Sequence, residues 1–292
     1  MLVSMDKLLN KAKKEKYAVA SANVFSDRSV KACFEAANNL NAPIIISATS
    51  YVPMEEIALL VNYYKDKYEN VSVSLNLDHG SDFDVAMRAI RCGFTSVMID
   101  KSTLEFEENV RYVKEVVKAA HAVGVSVEAE LGHVGKGFEY DETRDSGLTR
   151  TDEAFDYVKK TEVDALAVAV GTSHGVYKGV PNLDFDLLND LSNIVNVPLV
   201  LHGGSGTGDD KLKKAVQCGI QKVNLSTDLS GAYISSCSKY IKEAGEIIDK
   251  DFNVTYKGNR TVFTNTCLDM GLNGYRDLLS HYIELFGGKG KA

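Results

Sequence analysis

The segment LVLHGGSGTGDD, residues 199–210, contains the pattern from which the fold can be inferred. A short apolar run is followed by a histidine, a glycine-rich connection and two aspartates that open an amphipathic stretch. Such apolar runs are typical of parallel strands buried on both faces. The segment therefore predicts a strand, a tight turn and a helix that begins near Asp209.

The same succession of strand and helix recurs along the chain. Helical patterns such as 82–92, 106–123, 151–161 and 209–218 separate the apolar runs, and Gly93, Gly124 and Gly219 fit the position just past a helix end. The predicted strands are 17–23, 42–47, 72–77, 96–100, 126–130, 165–170, 199–202 and 222–226. Eight such repeats predict a (β/α)₈ TIM barrel. An open doubly wound sheet is the alternative, but no GxGxxG follows the first strand.

Two segments depart from the repeat. Residues 131–150 form a long polar connection after the fifth strand, and a connection of this length inside a compact domain is typical of a lid. The tail after residue 229 has the pattern of extra C-terminal helices. We expect residues 1–292 to form a single TIM-barrel domain with a long βα lid loop.

Composition excludes several function classes. The 292 residues are 45% apolar and carry a net charge of −7, which argues against a nucleic-acid-binding protein. No apolar run approaches the ~18 residues that span a membrane, and the first 16 residues lack a signal-peptide core. Five scattered cysteines without a CxxC pair are typical of a reducing compartment, so we expect a cytoplasmic protein.

Polar residues lie at or just past the carboxyl end of nearly every predicted strand. Catalytic groups of TIM barrels lie at the carboxyl ends of the strands, where these residues would share one rim. They are Asn23, Asp78, His79, Asp100, Glu130, His174, His202 and Asn224. Their joint placement predicts an active site at this rim.

Three of the six histidines, His79, His174 and His202, follow three different strands. Three convergent imidazoles that leave one position open are typical of a catalytic zinc ion. The alternative is three unrelated, hydrogen-bonded histidines. Of the other histidines, the two in a helical pattern and in the tail are expected to be structural, and the role of the one near Glu130 stays open.

Asp78 directly precedes a candidate ligand, so it is a natural general acid or base. Neighbouring residues of a regular strand point to opposite faces. If Asp78 and His79 both serve the site, the strand must bend there, which Gly80 permits. The alternative role for Asp78 is the N-terminal cap of the helix near residue 82.

Residues 203–208, GGSGTG, precede a predicted helix, and backbone N–H groups at such a junction bind anions. The phosphate site of many TIM barrels follows strands seven and eight. Lys178 either neutralises phosphate or is simply solvated. The candidate phosphate and substrate residues are Asn23, Thr49, Gly175, Lys178, Gly203, Gly204, Ser205, Asn224, Leu225, Ser226 and Thr227.

Taken together, these motifs resemble the zinc-dependent, class II ketose-bisphosphate aldolases. The resemblance extends in order through about residue 235. It rests on LDHG (77–80), GFTSVMID (93–100), VSVEAELG (125–132), VDALAVAVGTSHGVYKG (163–179), LVLHGGSGTGDD (199–210) and KVNLSTDL (222–229).

The resemblance implies a role for each matching residue. It implies that zinc binds His79, His174 and His202, with Asp100 and Glu130 as ligands of a second metal position. Asp78 would move the proton of the C4 hydroxyl, and Glu139 and Glu142 compete for the proton of the enediolate carbon. Gly175, residues 203–205 and residues 224–227 would hold dihydroxyacetone phosphate, and Thr49 would supply a hydroxyl where the family commonly has serine.

The resemblance also implies a small phosphorylated sugar as substrate, a homodimer or homotetramer, and room for a monovalent cation beside the phosphate loop. Fructose 1,6-bisphosphate is the default substrate. Tagatose 1,6-bisphosphate, a phosphorylated deoxy-keto-gluconate and a non-catalytic sugar-phosphate-binding role stay open, because the usual distal-phosphate arginine is absent and Arg260 and Arg276 align poorly.

Two other enzyme classes are weaker candidates. A metal-dependent hydrolase on a barrel typically has an HxH pair, which this sequence lacks. A Schiff-base aldolase would need a buried lysine on a strand.

Overall fold

The computed structural model describes residues 1–139, 145, 147–244, 246–248, 250–251, 254–256 and 263–292. Eight parallel strands close into a barrel in chain order, and the first pairs with both the second and the eighth. The predicted TIM barrel is therefore confirmed. The strands are β1 Val19–Asn23, β2 Ile44–Thr49, β3 Val73–Gly80, β4 Ser96–Ile99, β5 Ser126–Leu131, β6 Ala165–Val168, β7 Leu199–Leu201 and β8 Ile220–Leu225.

Helices surround the barrel and cover the apolar outer faces of the strands. Their bounds are α1 Met5–Glu15, α2 Asp27–Leu40, α3 Met54–Lys65, α4 Phe83–Cys92, α5 Phe106–His121, α6 Thr151–Thr161, α7 Phe185–Ile194, α8 Asp209–Gln217, α9 Thr227–Ala244 and α10 Thr264–Leu285. An antiparallel pair, β9 Glu246–Ile248 and β10 Val254–Tyr256, lies between the last two helices. The tail thus contains the expected helices and a short hairpin that was not predicted. In the described part of the chain, no helix combines the length and the apolar character that crossing a membrane requires.

Local signals fix the ends of α4. The Asp82 side chain accepts a hydrogen bond of 2.9 Å from the N–H of Val85, which satisfies a free donor of the first turn. Gly93 ends the helix with φ of 97°, a conformation that favours glycine. Asp82 is therefore the cap of this helix, and the alternative role of Asp78 as that cap is wrong.

Strand β3 bends where the two candidate site residues lie. It continues to Gly80 rather than ending at residue 77, and its register against β4 shifts between Leu77 and Gly80. His79 has a left-handed φ of 49°, so it does not follow the regular alternation of the strand. A Cβ on Gly80 would lie 2.4 Å from the carbonyl oxygen of Met98, so only glycine fits there. This bend is what allows adjacent side chains to serve one site.

The amino end of the barrel is closed by α1. Its buried residues Met5, Leu8, Leu9 and Ala12 pack on strand residues that point into this end, namely Val19, Ile45, Ala165, Ala167 and Val200. Burial of one leucine side chain contributes about 1.5–3 kcal/mol. The apolar plug leaves the carboxyl end of the barrel as the place for polar chemistry.

Candidate active site

A cavity of about 190 Å³ opens at the carboxyl ends of the strands. Side chains and backbone from β1, β2, β3, β8 and the loops after β6 and β7 meet there. The lining residues are Asn23, Thr49, Asp78, His79, His174, Gly175, Gly203, Ser205, Asn224, Ser226 and Thr227. Most residues predicted for the site thus share one cavity.

The three candidate histidine ligands converge on one point. Nε2 of His79 lies 3.2 Å from Nε2 of His174 and 3.0 Å from Nδ1 of His202, and the third separation, His174 to His202, is 3.4 Å. Two nitrogen ligands of a tetrahedral zinc ion, each at about 2.0–2.1 Å, are about 3.3–3.4 Å apart. The spacing therefore fits one metal ion held by three imidazoles.

Each of these rings has an acceptor on its outer nitrogen. His79 donates from Nδ1 to Asp100 at 2.8 Å, and His174 donates from Nδ1 to the carbonyl of Val134 at 3.2 Å. His202 donates from Nε2 to Glu128 at 2.9 Å. A hydrogen on the outer nitrogen leaves the inner nitrogen with its lone pair. The three lone pairs point at the common centre, as metal ligation requires.

Asp100 and Glu130, predicted as ligands of a second metal position, lie beside His79, and one atom from each of the three residues falls within 4.8 Å of the others. Glu130 accepts a 3.0 Å bond from the N–H of Val134, and its second oxygen is buried with no partner among the described residues. Burial and the charge of Asp100 raise the pKa of Glu130 to about 8. Because a buried carboxyl group with a raised pKa can exchange its proton for a cation, Glu130 with its unpartnered oxygen is a suitable cation ligand.

Asp78 is held by two amides. Its oxygens accept hydrogen bonds from the Asn23 side chain at 2.7 Å and from the Asn224 side chain at 3.0 Å. Burial alone would raise the pKa of Asp78, but the charges of His79 and Lys222 hold it at about 2. The carboxylate is thus ionised and fixed in orientation at the wall of the cavity.

The histidines differ in proton affinity. Burial alone would lower the pKa of His79, but Asp78 and Asp100 raise it to about 9. Burial lowers the pKa of His174 to about 4 and also lowers that of His202. Of the three candidate ligands, His79 therefore has the highest proton affinity, so a metal ion would compete with a proton for its inner nitrogen most strongly.

Sequence reasoning missed Glu128 and Lys222. Both side chains are fully buried inside the barrel, and the Lys222 ammonium lies 2.6 Å from one oxygen of the Glu128 carboxylate. Burial alone would raise the pKa of Glu128, but Lys222 and His202 hold it below its ordinary value. The polar Gln221 also hid the start of β8, which begins at Ile220, two residues earlier than predicted. An unusual charge inside a strand is the sequence signal that points to them.

The glycine-rich connection after β7 passes very close to neighbouring atoms at two positions, where a larger residue would not fit. A Cβ on Gly203 would lie 2.4 Å from the carbonyl oxygen of Ser173, and one on Gly204 would lie 2.6 Å from the Val223 side chain. Gly203 lines the cavity, whereas Gly204 and Leu225 pack behind it. The Ser205 hydroxyl accepts from the N–H groups of Ser226 and Asp228, each at 3.2 Å, which ties the loop to the end of β8.

The helix start that faces the cavity is not the predicted one. Helix α8 begins at Asp209, away from the lining residues, whereas Thr227, the first residue of α9, lines the cavity. The N-terminus of an 18-residue helix carries partial positive charge. The cavity therefore borders the glycine loop and the start of α9 rather than the start of α8.

The lid is anchored beside a candidate ligand. Gly137 donates to the carbonyl of His174 at 2.7 Å, and His174 donates from its backbone to Gly135 at 2.8 Å. Glu139 is exposed at the end of a short 3₁₀ turn and does not line the cavity, and Glu142 lies outside the described residues. Lys178 is also exposed and away from the lining residues.

Arg276, one of the two arginines considered for a distal phosphate, does not line the cavity. Arg276 pairs with Glu35 at 3.2 Å and with Asp277 at 2.9 Å, and Arg260 lies outside the described residues. The two histidines expected to be structural lie on the exterior, where His121 bonds to Asp164 and His281 bonds to Asp209, each at 2.8 Å. Nδ1 of His133 shares a hydrogen bond of 3.0 Å with the Ser102 hydroxyl at the rim of the barrel.

Comparisons of the sequence and of the structure with known proteins all find aldolases. The model of the family "Fructose-bisphosphate aldolase class-II" matches residues 3–291. A fructose-bisphosphate aldolase of Helicobacter pylori J99 is 39% identical over 273 residues, covering 83% of this chain and 89% of that protein. The crystal structure of the YdjI aldolase of Escherichia coli K12 is 31% identical with a TM-score of 0.83 and full coverage of both chains. A Campylobacter jejuni fructose-bisphosphate aldolase, at 23% identity and a TM-score of 0.81 over 100% of this chain and 97% of that one, shares the fold.

Proposed function

Because the chain belongs to the class II fructose-bisphosphate aldolase family, and is therefore a lyase, we propose that it cleaves fructose 1,6-bisphosphate reversibly. The products are dihydroxyacetone phosphate and glyceraldehyde 3-phosphate, and the metal is zinc. The observation that carries the proposal is the meeting of three imidazole nitrogens within 3.4 Å of one another, beside an ionised carboxylate.

His79, His174 and His202 hold the metal in this proposal, because their lone pairs share one centre. When bound there, zinc supplies a Lewis acid that polarises the ketone and stabilises the charge that develops as the C3–C4 bond breaks. Asp100 and Glu130 lie on one side of His79, where they offer oxygen ligands for a second metal position.

Asp78 moves the proton of the C4 hydroxyl. As an ionised carboxylate it accepts this proton during cleavage and returns it during condensation. Asn23 and Asn224 fix both of its oxygens, so the proton acceptor keeps one position at the cavity wall. A fixed acceptor lowers the orientational cost of the transfer.

The phosphate of the dihydroxyacetone half is held by the loop after β7 and the start of α9. Gly203, Ser205, Ser226 and Thr227 bring small side chains and backbone amides to this side of the cavity. The helix N-terminus adds favourable charge. Asn23, Thr49 and Gly175 contact the remaining hydroxyl groups, and Glu139 or Glu142 of the lid moves the proton on the enediolate carbon.

The buried Lys222 invites comparison with the Schiff-base mechanism, since it lies on a strand. Its ammonium is ion-paired with Glu128, and its side chain does not line the cavity. A nucleophilic amine must reach the substrate ketone. We therefore assign Lys222 no covalent role, and borohydride in the presence of substrate should leave the enzyme active.

The test is a cleavage assay with three substrates side by side: fructose 1,6-bisphosphate, tagatose 1,6-bisphosphate and a phosphorylated deoxy-keto-gluconate. The protein is assayed as purified, after chelation and after zinc is added back. We expect fastest cleavage of fructose 1,6-bisphosphate, loss on chelation and recovery with zinc. Activity unaffected by chelation would contradict the metal mechanism, and preference for another sugar would contradict the substrate.

Three further properties belong to the same proposal. We propose a homodimer or homotetramer, which sedimentation analysis checks. We propose a cytoplasmic location, which is supported by five unpaired cysteines. A monovalent cation beside the phosphate loop is tested by exchanging potassium for a bulky organic cation in the assay.

A further inference from the structure

The Glu128–Lys222 pair crosses the inside of the barrel from β5 to β8, and both side chains have 0% exposure. Removing two charges from water costs several kcal/mol for each ion, so a buried pair is a weak source of stability. The pair also lies directly beneath His202, which bonds to the same carboxylate. Its location suggests that it acts on the metal site.

We propose that Glu128 and Lys222 are positioning residues that determine which ring nitrogen His202 presents to the metal; this rests on the metal site of the proposed function. The Lys222 ammonium bonds one Glu128 oxygen at 2.6 Å, and the other oxygen accepts from Nε2 of His202 at 2.9 Å. A carboxylate paired with an ammonium has no proton to donate. Nε2 must therefore carry the hydrogen, which leaves the lone pair on Nδ1.

The nitrogen left free is the one at the cluster centre. Nδ1 of His202 lies 3.0 Å from Nε2 of His79 and 3.4 Å from Nε2 of His174. His202 presents Nδ1 whereas the other two present Nε2, so the opposite tautomer would place a hydrogen inside the cluster. Fixing this ring is thus a requirement for binding, not a detail of packing.

The decisive variant is the neutral double substitution Glu128→Gln with Lys222→Met. The double variant removes both charges together and leaves no uncompensated buried charge, so it should remain folded. The new amide can donate to His202, so the tautomer is no longer fixed. We expect zinc affinity, measured by competition with a chromophoric chelator, to fall by about 10- to 100-fold.

Asp164→Asn is the matched control. Asp164 also accepts a hydrogen bond from a histidine, His121, at 2.8 Å, but at the other end of the barrel. This change from carboxylate to amide should leave zinc affinity unaltered. Wild-type affinity in a folded double variant would overturn the positioning role, whereas failure of the wild-type protein to bind zinc would overturn the proposed metal site instead.

A measurement on the unsubstituted protein keeps the proposal testable if the double variant fails to fold. Long-range ¹H–¹⁵N spectra of histidine-labelled, metal-free protein report the hydrogen position on each ring. We expect His202 to carry its hydrogen on Nε2, and a hydrogen on Nδ1 would overturn the proposal.

Discussion

The two ends of the barrel are built from the same strands but differ in what those strands present. At the amino end, Ala165, Ala167 and Val200 pack with α1 in an apolar cluster. Past the carboxyl ends of the same two strands come His174 and His202, which meet His79. In this protein, packing and chemistry are therefore separated along the barrel axis.

The two ends of the barrel hold their side chains in place by different interactions. The amino end is ordered mainly by shape, since the α1 side chains that fill it, such as Leu8 and Leu9, are apolar. The carboxyl end is ordered by paired polar groups, in which each candidate ligand has a defined acceptor. We therefore expect substitutions at one end to change chemistry and at the other to change stability.

The largest effect is expected for His174→Ala. Loss of one imidazole should abolish tight zinc binding, and turnover should fall by at least about 10³-fold because the metal contributes several kcal/mol to the transition state. Bound zinc and turnover are measured on the same preparation. His281→Ala, which changes an exterior histidine, should alter neither, and retained turnover in His174→Ala would refute the assignment.

Asp78→Ala should slow cleavage by about 10²-fold or more, since a general acid or base contributes this much. The variant should still bind one zinc per chain, because Asp78 is not among the three converging rings. Metal content and turnover together distinguish the two roles. Turnover at the wild-type rate would contradict the role of Asp78, and so would loss of bound zinc in this variant.

Zinc affinity should depend on pH through His79. Its pKa of about 9 means that, at neutral pH, a bound metal ion displaces a proton. Protons compete more strongly as the pH falls, so apparent affinity should decrease about tenfold per unit below pH 9. Chelator competition between pH 7 and 8.5 measures the slope, and a flat profile would contradict the proton assignment.

The smallest effect on the site is expected for Leu9→Ala in the apolar plug. The cavity left by the leucine should lower the free energy of unfolding by about 2–5 kcal/mol. Denaturant titration measures this, while zinc affinity and turnover at 25 °C should be unchanged. A parallel loss of zinc affinity would show that the two ends are not independent.

Patterns of apolar residues were sufficient to predict the barrel, and most strand ends to within one residue, because strands buried on both faces are continuous apolar runs. The start of β8 was misplaced because the polar Gln221 interrupts the apolar run, and Lys222 was not recognised as a buried charge because Glu128 faces it only in the folded chain. That contact joins residues 94 positions apart, which a periodicity cannot indicate.

The candidate site also has some features that the sequence predicts and others that it does not. Placement after strands was enough to bring His79, His174 and His202 to one rim, since all parallel strands end there. The bend at His79, with φ of 49°, depends on the close approach of Gly80 to the β4 backbone. The start of α9 is held by the Ser205 hydroxyl, which accepts from the N–H groups of Ser226 and Asp228. The hairpin of the tail was missed because its strands are only three residues long.

X-ray absorption at the zinc edge of the reconstituted protein tests the central claim most directly. Three imidazole nitrogens around one ion should give a first shell at about 2.0–2.1 Å with the outer-shell scattering of three histidine rings. A shell with one imidazole or none, or one dominated by sulfur, would contradict the convergence of His79, His174 and His202 on one metal ion.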